Sequence, residues 1–324
     1  MSVEAKLQPG ILTVSASPHI RCDESIAKIM WTVNAALAPA ALFSVYRFGV
    51  SALTTMLICI IVAVATEYLI QKWREQPVTV NDGSAFLTGL LLAMNIPAGL
   101  PWYMPVFGTV SAIAIAKHTM GGLGYNIFNP ALVGRAIMLA SWPVAMTTWP
   151  DMTSKVDGVT SATPLGILKL QGYEKLVEVF GDKATMYQSL FTGMRSGSMG
   201  ETSALLLILG GVYLIYRGYI NWQIPVVMIG TVGALTAIFG HDPLMHMMSG
   251  GLILGAFFMA TDMVSIPITV KGRILFAAGA GALTVLIRLL GGYPEGVCYA
   301  ILLMNCVTPL IDLWLRPVKF GARG

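Results

Sequence analysis

The stretch Asp157-Gly-Val-Thr160-Ser161-Ala162-Thr163-Pro164-Leu165-Gly166 places three hydroxyl side chains and a carboxylate just ahead of a proline. Proline suits the first position of a helix, and a threonine before it can cap that helix. Free N–H groups and the helix dipole make such a terminus favourable for an anion. Thr163 therefore has two compatible readings, as a helix cap and as a hydroxyl placed to carry a phosphoester. Other polar residues fall inside apolar runs, where a charge is costly and is usually paired or functional. Arg135 could pair with a carboxylate or with helix carbonyls, or it could bind an anionic cofactor group. Asp262 could cap a broken helix or face a coupling cation or cofactor. Asn95, Asn129 and Asn305 read as helix-breaking or cofactor-facing amides. No metal site is expected. His118, His241 and His246 are dispersed, Cys22, Cys59, Cys298 and Cys306 form no CxxC pair, and no Walker A, HExxH or GxSxG pattern is present.

The elements that must position these residues are membrane helices. Of 324 residues, 56% are apolar and 11% charged, with a mean hydropathy of +0.72, against roughly a quarter charged in soluble domains. That excludes a disordered chain, a coiled coil and an ordinary soluble enzyme. A net charge of +4 is too small and scattered for nucleic-acid binding. The first 20 residues lack the apolar core of a secretory leader, and residues 1–25 read as a polar tail. Uncharged runs cover 29–46 and 48–66. The run over 84–116, too long for one span, is broken by Pro97, Pro101 and Pro105 into 84–97 and 102–117. A fifth run, 127–145, contains only Arg135. Residues 147–202 hold 11 of the 36 charges and have soluble composition. Apolar segments resume at 203–216, 219–240, 244–262, 272–290 and 296–315. The expected domains are thus a tail (1–25), a first five-helix repeat (26–146), a loop (147–202), a second five-helix repeat (203–315) and a second tail (316–324).

Placing both termini in the cytoplasm puts twelve of the twenty Lys and Arg inside and only Arg47 and Arg288 in short outside loops. The long 147–202 loop is then external. Five spans per half require the halves to be inverted, and weak internal similarity supports this. Ser84-Ala-Phe-Leu-Thr-Gly resembles Ser249-Gly-Gly-Leu-Ile-Leu-Gly, and Gly121-Gly122 recurs as Gly291-Gly292. Such repeats place a pathway at the bilayer midplane, with Asp262 and Asn95 as its candidates here. His118, Glu295 and Asp312 read as interfacial, and Asp82 as a cap.

The stretch Asp157 to Thr163 resembles the flavinylation signature Asp-x-x-(Ser/Thr)-Gly-Ala-Thr, with Ser161 where glycine is usual. Gly121-Gly-Leu-Gly-Tyr-Asn-Ile-Phe-Asn-Pro-Ala-Leu-Val-Gly-Arg135 and Gly250-Gly-Leu-Ile-Leu-Gly-Ala-Phe-Phe-Met-Ala-Thr-Asp262 resemble the same family, with Met263 where proline is usual. It comprises the D-type subunits of the Rnf electron-transport complexes and the B-type subunits of the Na⁺-translocating NADH:quinone oxidoreductases, and the resemblance covers nearly the whole chain. The short segment before the first span is more similar to the Rnf branch.

The resemblance implies FMN joined by a flavin transferase, through its phosphate, to Thr163, within a site of Asp157, Thr160, Ser161 and Ala162, with Arg135 and Asn129 as further cofactor ligands. It also allows a second, non-covalent riboflavin, for which the sequence carries no signature. The implied role is electron relay in a bacterial or archaeal cell (inner) membrane, within a ferredoxin:NAD⁺ oxidoreductase moving Na⁺ or H⁺. The implied partners are the Rnf subunits G (flavin-bearing), A and E (membrane-embedded) and B and C (iron–sulfur), besides membrane lipid. This chain has no nucleotide or cluster motif of its own, so it would be one part of that enzyme. The alternatives are the B-type subunit of the quinone-reducing relative and a urea-channel-like solute channel, since fold does not fix function. A pure channel has no need of the stretch ending at Thr163.

Overall fold

Along the first helical hairpin the large apolar side chains face outward. Val50, Leu53, Leu57 and Ile61 form an exposed stripe at helical spacing, while Ala52, Met56, Cys59 and Ala63 are buried. This inverts the soluble pattern, and it is the arrangement lipid imposes, with small residues at the helix contacts. The computed structural model describes residues 24–150, 160–161, 163–193, 197–201 and 203–316. It is an all-α polytopic membrane protein. The exception among the described residues is a two-residue antiparallel ladder, β1 (Trp149–Pro150) against β2 (Thr160–Ser161).

Helix α1 (Ile26–Trp73) comprises both of the first two expected spans. Gly49, with φ 66° and ψ −149°, breaks it, a conformation that glycine adopts without steric cost. The chain folds back there. Asn34 donates to the Gly83 carbonyl at 3.2 Å, and Glu67 meets the same turn through Lys117 and Ser84. On a straight helix Asn34 and Glu67 would stand about 50 Å apart.

The run at 84–116 divides as its prolines predict, into α2 (Ser84–Met94) and α3 (Tyr103–Ser111), the latter continuing as a π-helical turn over Ala112–His118. Asp82 caps α2 as expected, accepting from the Ser84 N–H at 2.8 Å. Next come α4 (Pro130–Ser141) and α5 (Pro143–Thr147). The polar stretch folds into α6 (Pro164–Phe180), broken at Gly172, and α7 (Lys183–Thr192). Helices α8 (Ala204–Tyr216) and α9 (Gln223–Ile238) follow.

The apolar run at 244–262 is interrupted. After α10 (Pro243–Met248), Gly250 and Gly251 take left-handed φ values of 70° and 65° before α11 (Leu252–Leu254) and a π-helical turn over Gly255–Met259. Arg288 occupies the gap, donating to the carbonyls of His246 at 2.6 Å and Ser249 at 2.7 Å. Helices α12 (Val270–Leu290) and α13 (Val297–Trp314) complete the fold. By length and hydropathy α1, α12 and α13 can each cross a membrane, and α2, α4, α8 and α9 are shorter apolar helices.

Glycines at helix crossings bring backbones into contact. A Cβ on Gly210 of α8 would lie 2.4 Å from the Ala36 carbonyl oxygen on α1, a backbone atom that cannot swing aside. Gly210→Ala should destabilise the protein by about 1–3 kcal/mol, measured as thermal unfolding in detergent. Gly230→Ala, where nothing lies within 4 Å of the added Cβ, should unfold like the parent.

Candidate functional site

Thr163 stands at the N-terminus of α6 with extended backbone, and its Oγ1 accepts from the Gly166 N–H at 3.1 Å. Proline at N1 and the side-chain cap are what the sequence motif specifies. The β1–β2 ladder pairs Trp149 with Ser161 and Pro150 with Thr160, and so returns the chain to Thr163 beside α5. Asp157 and Ala162 lie outside the described residues, and Thr160 and Ser161 are described as strand only.

Thr163 is buried and lines a cleft of about 440 Å³ between α4, α6 and the start of α13. That volume lies within the roughly 300–1,000 Å³ of small-molecule sites. Trp149, Tyr293 and Tyr299 contribute aromatic surface, and Arg135, Glu295 and Lys169 contribute charge. Arg135 and Glu295 form a mostly buried ion pair through guanidinium Nη2 and carboxylate Oε2. Arg135 Nη1 also donates to Asn95 Oδ1 at 3.0 Å. Lys169, one helical turn past Gly166, sends its ammonium to the carbonyls of Arg288, Gly291 and Tyr293 at the end of α12. It thereby pins α6 to the membrane helices.

Of the expected residues, Thr163 and Arg135 share this cleft, and Asn95 touches it through Arg135. Asn129 and Asp262 line a different, interior cavity of about 90 Å³, together with Asn126, Lys117 and Ser84. Asn129 caps α4, accepting from the Ala131 N–H at 3.0 Å, and donates to the Met259 carbonyl at 3.3 Å. Asp262 accepts from the Val264 N–H and the Ser265 hydroxyl, both at 3.3 Å, so it caps the turn after the broken helix.

Three charges and a histidine read as peripheral are interior. Lys117, counted among the cytoplasmic cations, is buried and bonds Glu67 at 2.6 Å and Ser84 at 2.7 Å. Glu295, read as interfacial, holds Arg135, and Arg288, read as an external loop cation, fills the helix break. His118, also read as interfacial, is 2% exposed. Glu295 and Lys169 belong to the cleft yet sit in a short loop and a polar helix that carry no motif.

A separate cluster fastens α6 and α7 to the membrane helices. Tyr173 donates to Asp242 at 2.7 Å, Tyr187 donates to the same carboxylate oxygen, and Asp242 also caps α10. Burial alone would raise the Asp242 carboxyl, but hydrogen bonds from Tyr187 and Tyr173 outweigh it and hold the group below its ordinary value.

Lipid-facing apolar stripes, a helix broken by glycines, and a cleft of about 440 Å³ at a capped threonine define a multi-pass membrane protein. The chain belongs to the NQR2, RnfD, RnfE family, whose family model matches residues 13–321. It is 64% identical over 328 residues (99% of each chain) to the D-type subunit of the proton-translocating ferredoxin:NAD(+) oxidoreductase complex of Clostridium ljungdahlii. It is 50% identical over 314 residues (96% of this chain, 95% of the relative) to the D-type subunit of the Na(+)-translocating ferredoxin:NAD(+) oxidoreductase complex of Acetobacterium woodii. It is 38% identical over 337 residues (94% of each) to the D-type subunit of the ion-translocating oxidoreductase complex of Halorhodospira halophila.

Two outcomes follow from these contacts. Glu295→Gln leaves Arg135 buried without its counter-charge and should cost about 3–5 kcal/mol in unfolding. The double variant Arg135→Met with Glu295→Leu should recover most of that loss. Because the folded-state pKa of Asp242 is depressed, its stabilisation is full above the unfolded value of about 3.9 and is lost as pH falls through the folded value. Hydrogen exchange in 183–192 should therefore rise below about pH 4, and Asp242→Asn should remove this acid dependence.

Proposed function

We propose that this chain is the membrane electron-carrying subunit of a multisubunit ferredoxin:NAD⁺ oxidoreductase of the Rnf type, with FMN joined through its phosphate to Thr163. The observation that carries the reading is the placement of Thr163 on a cleft of about 440 Å³ with aromatic and cationic walls. The residues present fit the group. Thr163 Oγ1 is the hydroxyl to be esterified, and the α6 N–H groups beside it favour phosphate. Trp149, Tyr293 and Tyr299 provide flat surface for a ring. Lys169 and Arg135 supply positive charge, Arg135 being oriented by Glu295 and Asn95. When bound, FMN supplies one- and two-electron transfer, while the protein positions and tunes it. Asp157, Thr160, Ser161 and Ala162 complete the signature for the flavin transferase. The names of the relatives favour this reading over the B-type subunit of the quinone-reducing enzyme and over a solute channel.

The proposal extends to topology. The chain forms ten spans in two inverted five-helix repeats, with both termini cytoplasmic and the 147–202 loop external. In support, Lys117 bonds Ser84 where α2 begins, and Arg288 bonds Ser249 and Gly250 just before α11. The two broken segments then meet where Asn95 Nδ2 lies 3.5 Å from Met259 Sδ. With Lys117 and Arg288 both interior, the sidedness of short-loop cations becomes eleven to one. The partners are subunits A, B, C, E and G of the same complex. The second, non-covalent riboflavin belongs to this proposal too. Its candidate place is the cavity at Asn126, Asn129 and Asp262, which at about 90 Å³ must widen to admit it.

The test is a denaturing gel of membrane-purified protein, co-expressed with a flavin transferase and viewed under ultraviolet light. A fluorescent parent band and a dark Thr163→Val band are expected. A dark parent band beside a transferase that labels a control protein would overturn the assignment, as would a fluorescent Thr163→Val band.

A further inference from the structure

A second cleft, of about 500 Å³, lies on the opposite side of Lys169 from Thr163. It is bounded by α6, the end of α9, α10 and the end of α12. Two cations, Lys169 and Arg288, and two imidazoles, His241 and His246, line it, and no Asp or Glu does among the described residues. The carboxylate next in sequence, Asp242, is engaged by Tyr173, Tyr187 and its own cap. His246 is 2% exposed, and neither of its ring nitrogens has a hydrogen-bond partner. Buried polar groups in folded proteins are nearly always paired, so this imidazole lacks the group it is shaped to meet. The rim of the cleft is apolar and faces outward, with Leu290 82% exposed at the end of α12 and Phe239 60% exposed after α9.

We infer that this cleft is a binding site for an anionic phospholipid. The phosphate would bond to His246 and His241 beside the Lys169 charge, and the acyl chains would lie over Leu290 and Phe239. The two halves of the cleft select the ligand together. Cationic and imidazole groups without a carboxylate favour a phosphate over a metal ion. An outward apolar rim at a helix end suits an acyl chain and offers nothing to a free anion. The site shares Lys169 with the cleft at Thr163, but His241, His246, Leu290 and Phe239 do not line that cleft, so its test does not depend on the flavin assignment.

Native mass spectrometry of the full-length purified protein tests this, with phosphatidylglycerol, phosphatidylethanolamine and inorganic phosphate as probes. The parent should hold one phosphatidylglycerol about tenfold more tightly than phosphatidylethanolamine, whose headgroup ammonium would face the Lys169 charge. His246→Phe should hold both lipids about tenfold more weakly, since both carry the phosphate. Leu290→Glu, at an exposed position that should leave folding unaltered, should lose the preference for phosphatidylglycerol by placing a carboxylate on the rim. Tyr216→Glu, equally exposed at the end of α8, should keep it. Equal retention by the parent and Leu290→Glu would overturn the inference. So would equal retention of the two lipids, or displacement of phosphatidylglycerol by inorganic phosphate, which would make the cleft a free-anion site.

Discussion

A helix interrupted inside a bilayer frees peptide carbonyls and N–H groups that lipid cannot satisfy, and this fold meets that constraint with buried charge. The clearest case is Arg288, whose guanidinium bonds the His246, Ser249 and Gly250 carbonyls across the break between α10 and α11. At the start of α2 the same task is shared. Asp82 takes the Ser84 N–H, Asn34 donates to the Gly83 carbonyl, and Lys117 bonds the Ser84 hydroxyl while Glu67 neutralises it. Removing any of these would leave a freed peptide group or an uncompensated ion in a low-dielectric interior.

The cleft at Thr163 inherits its geometry from this scheme. Arg288 fixes the end of α12, and the carbonyls exposed at that end hold Lys169 and hence α6. Thr163 is therefore placed by two connected contacts together with the β1–β2 ladder that precedes it. On the opposite wall Arg135 is locked between Glu295 and Asn95, and Asn95 is itself held by the Leu91 carbonyl at 2.7 Å. The two cations that face the cleft, Arg135 and Lys169, are thus each oriented by partners behind them, a condition for a preorganised site.

Helix positions were largely legible because prolines, glycines and uncharged runs report directly on where a chain can span lipid. Pro97, Pro101 and Pro105 marked the division of the 84–116 run, and Asp82 read correctly as a cap. What the sequence concealed was charge placement. Lys117, Arg288 and Glu295 stand near the ends of apolar runs, where an exposed and a buried ion look identical until their partners, 33 to 160 residues away, are known. The break at Ser249–Gly251 was hidden for a related reason. A Ser-Gly-Gly triplet in an apolar run is compatible with close helix packing, and only the left-handed φ values and the waiting Arg288 distinguish a break. Thr163 was legible because a hydroxyl followed by proline has a local physical meaning, whereas Glu295 and Lys169 acquire theirs only from tertiary contact.

The Arg135–Glu295 pair also shapes what the cleft can present to a bound group. A lone guanidinium there would be a strong fixed cation in a weakly screened site. Paired with Glu295, it presents an oriented dipole, and the single-charge character of the wall falls mainly to Lys169, whose neighbours are carbonyls. The two cations are therefore not equivalent: Lys169 sets the local potential and Arg135 the orientation. Arg135 alone of the two reaches inward, through Asn95 to Met259 and then, by the Met259 carbonyl, to Asn129 at the interior cavity. That polar chain joins the cleft to the cavity through otherwise apolar packing that includes Leu92, Met94 and Met138, so a shift of charge at the cleft would be felt at the cavity through it.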